Sequence, residues 1–304
     1  MLAEMAGWDV HTHLIPPTVL AVAHRREFGL AVEAGMLVVD GKERLPLRRL
    51  GDPAALLQWI AEQQLDGAVV SVPPALFRYD QGVEWAALVN QGLRELATPQ
   101  LRVLGQLPLL DPAAASVASA LADEGVFSGF ALGTAGFASP ALDPVWQVLD
   151  ALEAFTLVHP GHSPDERLDA FYLSNLLGNP YETGLAAAEL VFADVPGRFP
   201  GIRFCLCHGG GVTAALAGRW QRGIDTARPG IEPPSLSVAE ALRRFAVDDL
   251  VHDPAVLDLA EATFGQVLAG SDWPFPMGSD GLDARRAEAA EPLTRPLHKG
   301  VALP

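Results

Sequence analysis

Lysine is nearly absent from this chain. Lys42 and Lys299 are the only two, against nineteen arginines among 21 basic residues. The 37 acidic residues leave a formal net charge of −16. No basic patch interrupts that excess, so a polyanion such as nucleic acid would be repelled and is not an expected partner. A small anionic substrate would need a local arginine. Cysteine is scarce too, at two residues. Cys205 and Cys207 lie two apart on an expected strand, so they point to one face and cannot readily bridge each other. Unbridged thiols fit a reducing cytoplasm, and their apolar neighbours favour burial over a thiolate metal site. No apolar run approaches the ~20 residues of a spanning helix, so no membrane partner is expected. The start of the chain lacks the basic and apolar regions of a secretory signal. Repeats, low-complexity tracts and long linkers are missing. No Gly-x-Gly-x-x-Gly follows the first apolar run, which argues against a dinucleotide site there.

What is present is a regular alternation. Short apolar runs at 8–10, 67–72, 101–107, 129–132, 156–158, 202–207, 245–247 and 266–269 read as eight strands covered on both faces. Between them apolar residues recur at helical spacing, as in Trp85, Leu88, Val89, Gly92, Leu93 and Leu96. Four Asp-Pro pairs, at Asp52, Asp111, Asp143 and Asp253, precede such segments. Aspartate caps free N–H groups and proline at the first helical position loses no hydrogen bond, so these aspartates read as caps. His252, beside one of them, is set aside with them. Alternating strands and helices imply a parallel sheet, and eight strands in 304 residues favour a closed (β/α)₈ TIM barrel, one domain over residues 1–304. Residues 14–51 are too long for a simple connection. The runs 36–39 and 44–47 flank Asp40-Gly41, a turn signal, so a small β-hairpin insertion after the first strand is expected. The last barrel helix belongs after Gly278, without a clear position.

The polar residues that close these strands carry chemistry. His11 and His13, in Trp8-Asp9-Val10-His11-Thr12-His13, share one side of an extended segment. His159, His208 and Asp272 each end, or follow directly, a further apolar run. Imidazole and carboxylate together suit Zn²⁺, and also Mn²⁺, Fe²⁺ or Co²⁺. Two metals in such a barrel would need a bridging carboxylated lysine or glutamate at the end of the fourth strand. Gly129-Phe130-Ala131-Leu132-Gly133-Thr134 offers neither, and Lys42 and Lys299 lie elsewhere. One divalent metal is therefore expected, held by His11, His13, His159 and Asp272. His208 stays outside that shell, suited to act as general acid or base. Gly209-Gly210-Gly211 then makes a tight turn, and only weakly a phosphate loop.

These residues resemble the amidohydrolase superfamily, in its amidohydrolase-2 branch of decarboxylases, over most of the chain. The resemblance rests on Asp9-Val10-His11-Thr12-His13-Leu14-Ile15-Pro16, Arg198-Phe199-Pro200, Cys207-His208-Gly209-Gly210-Gly211, Leu250-Val251-His252-Asp253-Pro254 and Gly270-Ser271-Asp272-Trp273-Pro274-Phe275-Pro276. It implies the same ligands, His11, His13, His159 and Asp272, with His208 as the acid/base residue. It also implies an arginine from the inserted segment on the substrate carboxylate. Arg44 has the spacing, with Arg48 and Arg49 as rivals. A second arginine resembles Arg228 and would be reached from a neighbouring subunit, which implies a homodimer. The expected activity is non-oxidative decarboxylation of a small unsaturated or aromatic carboxylic acid, in the cytoplasm. The alternatives are a metal-dependent hydrolase of an amide or lactone bond, or a hydratase. The chain departs from the branch at His159-Pro160-Gly161-His162 and by the added Arg78.

Overall fold

The computed structural model describes residues 7–161 and 163–297. His162 and Lys299, both named above, lie outside the described residues. Eleven strands are β1 (Trp8–His13), β2 (Leu30–Glu33), β3 (Met36–Val39), β4 (Glu43–Pro46), β5 (Gly67–Ser71), β6 (Leu101–Gln106), β7 (Phe127–Gly133), β8 (Phe155–His159), β9 (Arg203–Leu206), β10 (Ala246–Asp248) and β11 (Gln266–Leu268). Eight of them form one sheet in the order β1-β5-β6-β7-β8-β9-β10-β11. This strict sequential order, with helices between successive strands, is that of a (β/α)₈ barrel. All eight runs expected from the sequence are strands, with ends shifted by one to three residues.

Among the described residues the chain divides into two compact units, residues 7–131 with 269–297 and residues 132–268. Their boundaries fall inside β7 and directly after β11. In the first unit β1 pairs in parallel with β5, from Trp8 opposite Gly67 to His13 opposite Ser71. The other edge of β1 takes the backbone that follows β11. Val10 N donates to Ala269 O at 2.9 Å and His13 N to Trp273 O at 2.8 Å. This second ladder sets residues 269–273 beside β1. Trp85, Phe127 and Phe130 fill the buried interior of this unit. In the second unit β8 pairs with β9, β9 with β10 and β10 with β11, all parallel. Trp146 packs edge-on to Phe137 and Phe204, and Phe204 continues to Phe245, at centroid separations of 5.7–5.9 Å.

The insertion is larger than a hairpin. β2, β3 and β4 make a three-stranded antiparallel sheet, with Glu33 opposite Met36 and Val39 opposite Glu43. The Asp40-Gly41 turn joins β3 and β4 as the sequence indicates. The extra strand, β2, enters through the tight Ala34-Gly35 connection, where both residues have left-handed φ.

Two of the four Asp-Pro pairs cap helices as expected. Asp52 accepts from Ala54 N and Ala55 N ahead of the helix Pro53–Gln63, and Asp253 accepts from Ala255 N ahead of Pro254–Thr263. Asp111 instead holds the turn before Ala114–Glu124, accepting from Ala113 N at 2.8 Å. Asp143 does not cap. It is the first residue of the helix Asp143–Ala151, and its carboxylate pairs with Arg198. The last helix among the described residues is Ala284–Ala290, capped by Asp283. Among the described residues no helix is long and apolar enough to cross a membrane.

Candidate metal centre

Three of the expected ligands converge within the first unit. Alternation along β1 puts His11 and His13 on one side. Asp272 reaches them because its own backbone joins the ladder, Asp272 N donating to His11 O at 2.8 Å. The Nε2 atoms of His11 and His13 are 3.1 Å apart. Asp272 Oδ1 lies 3.3 Å from the first and 3.1 Å from the second. All three side chains are buried. A tetrahedral shell with bonds of about 2.0–2.1 Å has ligand–ligand edges of about 3.3–3.4 Å. Right-angled coordination at about 2.2 Å gives about 3.1 Å. The triangle therefore has the size of one face of a divalent cation's shell. Two imidazole lone pairs and a carboxylate oxygen at this spacing repel one another unless a proton or cation lies among them, and this buried His/Asp cluster fits one divalent metal.

Neighbouring groups prepare the donors. His13 Nδ1 lies 3.2 Å from the carbonyl of Val72 and 3.1 Å from Ser71 Oγ. A proton on Nδ1 donating to that carbonyl leaves the Nε2 lone pair for a metal. Burial pushes the His13 pKa below its ordinary value, against the raising effect of Asp272, which keeps the ring neutral and able to ligate.

Two further expected residues meet in the second unit. His159 ends β8 and is buried, with Nδ1 2.8 Å from the Pro160 carbonyl. That contact selects the same tautomer as in His13 and turns the Nε2 lone pair to ligation. His208 follows β9 by two residues, is half-buried, and stands with its ring edge-on to His159 at 5.3 Å. Its backbone is left-handed, as are Gly209, Gly210 and Gly211 after it. A Cβ at Gly209 would meet Val251 at 2.1 Å and one at Gly211 would meet the Pro180 carbonyl at 2.1 Å. Conformation and space both demand glycine in this turn.

The arginines are placed differently. Arg44 projects from β4, about half exposed, with Nη2 3.6 Å from a carboxylate oxygen of Glu33. Arg48 and Arg49 are exposed on the helix Leu47–Leu50. Arg228 is exposed and donates to the Thr226 carbonyl at 3.0 and 3.3 Å. Arg78 is the buried one. Its guanidinium donates to the Phe28 carbonyl and to both Asp40 oxygens, and lies 5.4 Å from the Trp85 ring centroid. It fastens the insertion to the loop after β5. Lys42 is exposed in the β3–β4 turn.

Two carboxylates escaped the sequence reading. Asp9 is fully buried. It accepts from Ser271 Oγ at 2.5 Å and from the backbone N–H groups of Ser271 and His11, each at 3.0 Å. Burial pushes its pKa up to about 7, although those three donors pull the other way. Asp248, at the end of β10, is buried and accepts from Gly209 N at 2.8 Å, bracing the turn after His208. It obeys the same strand-end pattern as the expected ligands, and that pattern could have found it. Cys205 and Cys207 are buried and form no disulfide. Burial holds the Cys205 thiol well above its ordinary pKa, which is unsuited to a thiolate ligand.

The amidohydrolase family model matches residues 8–301. The 2-amino-3-carboxymuconate-6-semialdehyde decarboxylase of Dictyostelium discoideum is 26% identical over 298 residues, 89% of this chain and 82% of that protein. The 5-carboxyvanillate decarboxylase of Sphingomonas paucimobilis superposes with a TM-score of 0.77 at 21% identity, covering 96% of this chain and 99% of its own. The 5-carboxyvanillate decarboxylase of Novosphingobium aromaticivorans, solved with manganese and 4-hydroxy-3-methoxy-5-nitrobenzoic acid, gives 0.76 at 15% identity, covering 95% and 96%. A family match along nearly the whole chain, over a (β/α)₈ barrel with a buried His/Asp cluster, fixes the assignment: the chain belongs to the amidohydrolase family, in its branch of carboxy-lyases resembling 2-amino-3-carboxymuconate-6-semialdehyde decarboxylase.

Proposed function

We propose that this chain is a metal-dependent, non-oxidative decarboxylase of a small unsaturated or aromatic carboxylic acid. The observation that carries the reading is the His11–His13–Asp272 triangle, with donor separations of 3.1–3.3 Å. His159 supplies the fourth donor, an assignment supported by its place at the end of β8 and by the hydrogen bond that leaves Nε2 its lone pair. The manganese in a related structure supports a divalent ion in this fold. Imidazole-rich coordination also suits zinc, our first choice from donor chemistry.

The metal, when bound, supplies positive charge that polarises a substrate oxygen and acidifies water. The protein's own groups do the rest. Arg44 grips the substrate carboxylate, since its exposed pairing with Glu33 at 3.6 Å is worth under about 1 kcal/mol and is readily exchanged. His208 gives its proton to the carbon that bears the carboxylate. The bond from that carbon to the carboxyl group then breaks, its electron pair stays with the conjugated system, and CO₂ leaves. Arg228 serves the site of a second copy, which makes the working unit a homodimer of a cytoplasmic enzyme.

The test is CO₂ release from muconate semialdehydes and hydroxybenzoates by protein stripped with chelator and reloaded with Zn²⁺ or Mn²⁺. Activity should vanish on stripping and return on loading. Hydrolysis of amides or lactones without CO₂ release from any acid would instead make the chain a hydrolase. Arg44→Ala should raise KM for the acid at least tenfold, and an unchanged KM removes Arg44 from the site. Light scattering decides the dimer.

A further inference from the structure

Asp9 lies two residues before His11 on β1, where the pairing with β5 shifts register between Asp9 and Thr12. It touches neither partner's ligating atoms, yet it is bonded to the main chain of both ligand-bearing segments. One oxygen accepts from His11 N and from Ser271 N, each at 3.0 Å. The other accepts from Ser271 Oγ at 2.5 Å. Ser271 Oγ accepts in turn from Trp273 N at 3.0 Å, so it bridges the residue on the far side of Asp272. The direct bond from Asp272 N to His11 O completes the junction. His11 and Asp272 therefore meet across a seam where Asp9 and Ser271, 262 positions apart in sequence, bond beside the backbone ladder.

A carboxylate here is not explained by stability alone. Burying an ionisable acid is costly, and an apolar pair could join two strands more cheaply. What a two-oxygen acceptor provides that an apolar pair does not is fixed direction. It sets how far the strand carrying His11 stands from the segment carrying Asp272. Ligand separation must match a cation's shell to within a few tenths of an ångström.

Resting on the metal reading above, we propose that Asp9 and Ser271 form a positioning clasp that sets the His11–Asp272 separation, so that the grip on a divalent cation depends on a carboxylate outside its coordination shell. Loss of such outer supports costs about 10- to 100-fold in metal affinity. Neither residue is a catalytic group.

The experiment measures the dissociation constant for Zn²⁺ and for Mn²⁺, by competition with a chromophoric chelator, in the full chain. Asp9→Asn, Ser271→Ala and the double variant are compared with the unaltered protein, alongside the melting temperature of each stripped protein. Asn keeps an acceptor for the two N–H groups but sets an amide donor against the serine hydroxyl. Ala at 271 removes only that hydroxyl and covers the case in which Asp9→Asn fails to fold. The clasp requires at least tenfold weaker binding in Ser271→Ala with the stripped melting point nearly unchanged. It also requires a double variant little worse than the more damaging single. Affinity within twofold of the unaltered protein, with a lowered stripped melting point, would make the seam merely structural and overturn the proposal. Failure of the unaltered protein to bind either cation would fall on the metal reading instead.

Discussion

Replacing His208 separates proton transfer from metal binding more cleanly than any other single change. The substitution must respect the backbone. His208 has φ of +56°, and it begins a run of four left-handed residues braced by Asp248. Alanine at such a φ costs about 1 kcal/mol, whereas asparagine visits this region readily. His208→Asn therefore keeps the turn and removes only the titrating ring. A positioned acid or base contributes about 10²- to 10⁴-fold to rate. At about 1.4 kcal/mol per tenfold, that is roughly 3–5.5 kcal/mol of barrier. We expect kcat for CO₂ release to fall by that factor, with metal content after gel filtration equal to that of the unaltered protein. The stripped melting temperature should move by no more than a few degrees. Two results refute the reasoning. Metal lost together with activity would place His208 inside the coordination shell. A kcat within threefold would mean that the proton comes from elsewhere.

Arg102→Leu tests whether stability and chemistry are separated along the strands. The Arg102 guanidinium lies 3.6 Å from the Trp8 ring centroid and donates to Thr294 Oγ1 at 2.8 Å and the Glu291 carbonyl at 3.1 Å. Losing a partly buried cation–π contact and two charge-assisted bonds should cost about 2–4 kcal/mol in urea unfolding and leave kcat unchanged at permissive temperature; a changed kcat with normal stability contradicts this. The two cysteines should resist a thiol-specific chromogenic reagent in the native protein and titrate as two equivalents after denaturation. For pH, the sign follows from His13, whose folded pKa lies below the ordinary 6.5 because burial disfavours its charged form. Its stabilising share is complete above the unfolded pKa and is lost as pH falls through the folded one. Asp9, raised by burial to about 7, acts in the opposite sense over this range, so the His13 share is a relative drop in the stripped protein's melting temperature as pH falls below about 6.5. A stripped His13→Gln variant should show a shallower drop, and an identical profile excludes His13 as the cause.

Local rules served the sequence reading wherever the deciding neighbours were close in the chain. The eight apolar runs became strands because an interior covered on both faces leaves no other place for them. Asp52 and Asp253 capped helices because their acceptors and donors are two residues apart. Asp143 failed the same rule because its carboxylate is captured by Arg198, 55 residues away. β2 was missed because its connection to β3 runs through Ala34-Gly35, and alanine gives no signal for the left-handed turn it makes there. Asp9 was quoted inside a motif, yet its role depends on Ser271, 262 residues distant. Arg78 was noticed as an oddity, but no spacing rule reveals that it binds Asp40 and the Phe28 carbonyl in the insertion. The four ligand candidates and His208 stood out in the sequence because each lies within or shortly after a short apolar run.

The fate of Arg78 narrows the choice between decarboxylase and hydrolase chemistry. Both uses of the barrel need a metal and a proton carrier, and a decarboxylase of acids gains from a cation that orients the departing or neighbouring carboxylate. Arg78 has its side chain only 6% exposed, and its donors are committed to a carbonyl and a bidentate carboxylate. Withdrawing it for substrate would break its bonds to the Phe28 carbonyl and Asp40 and open the insertion's attachment. Arg44 carries no such duty. Its one ion pair is long and solvated, so exchanging Glu33 for a substrate carboxylate costs little. Arg78, in the loop after β5, is thus spent on structure, and Arg44, on the insertion, is the arginine proposed for recognition. That division supports the carboxylate-binding role proposed for Arg44.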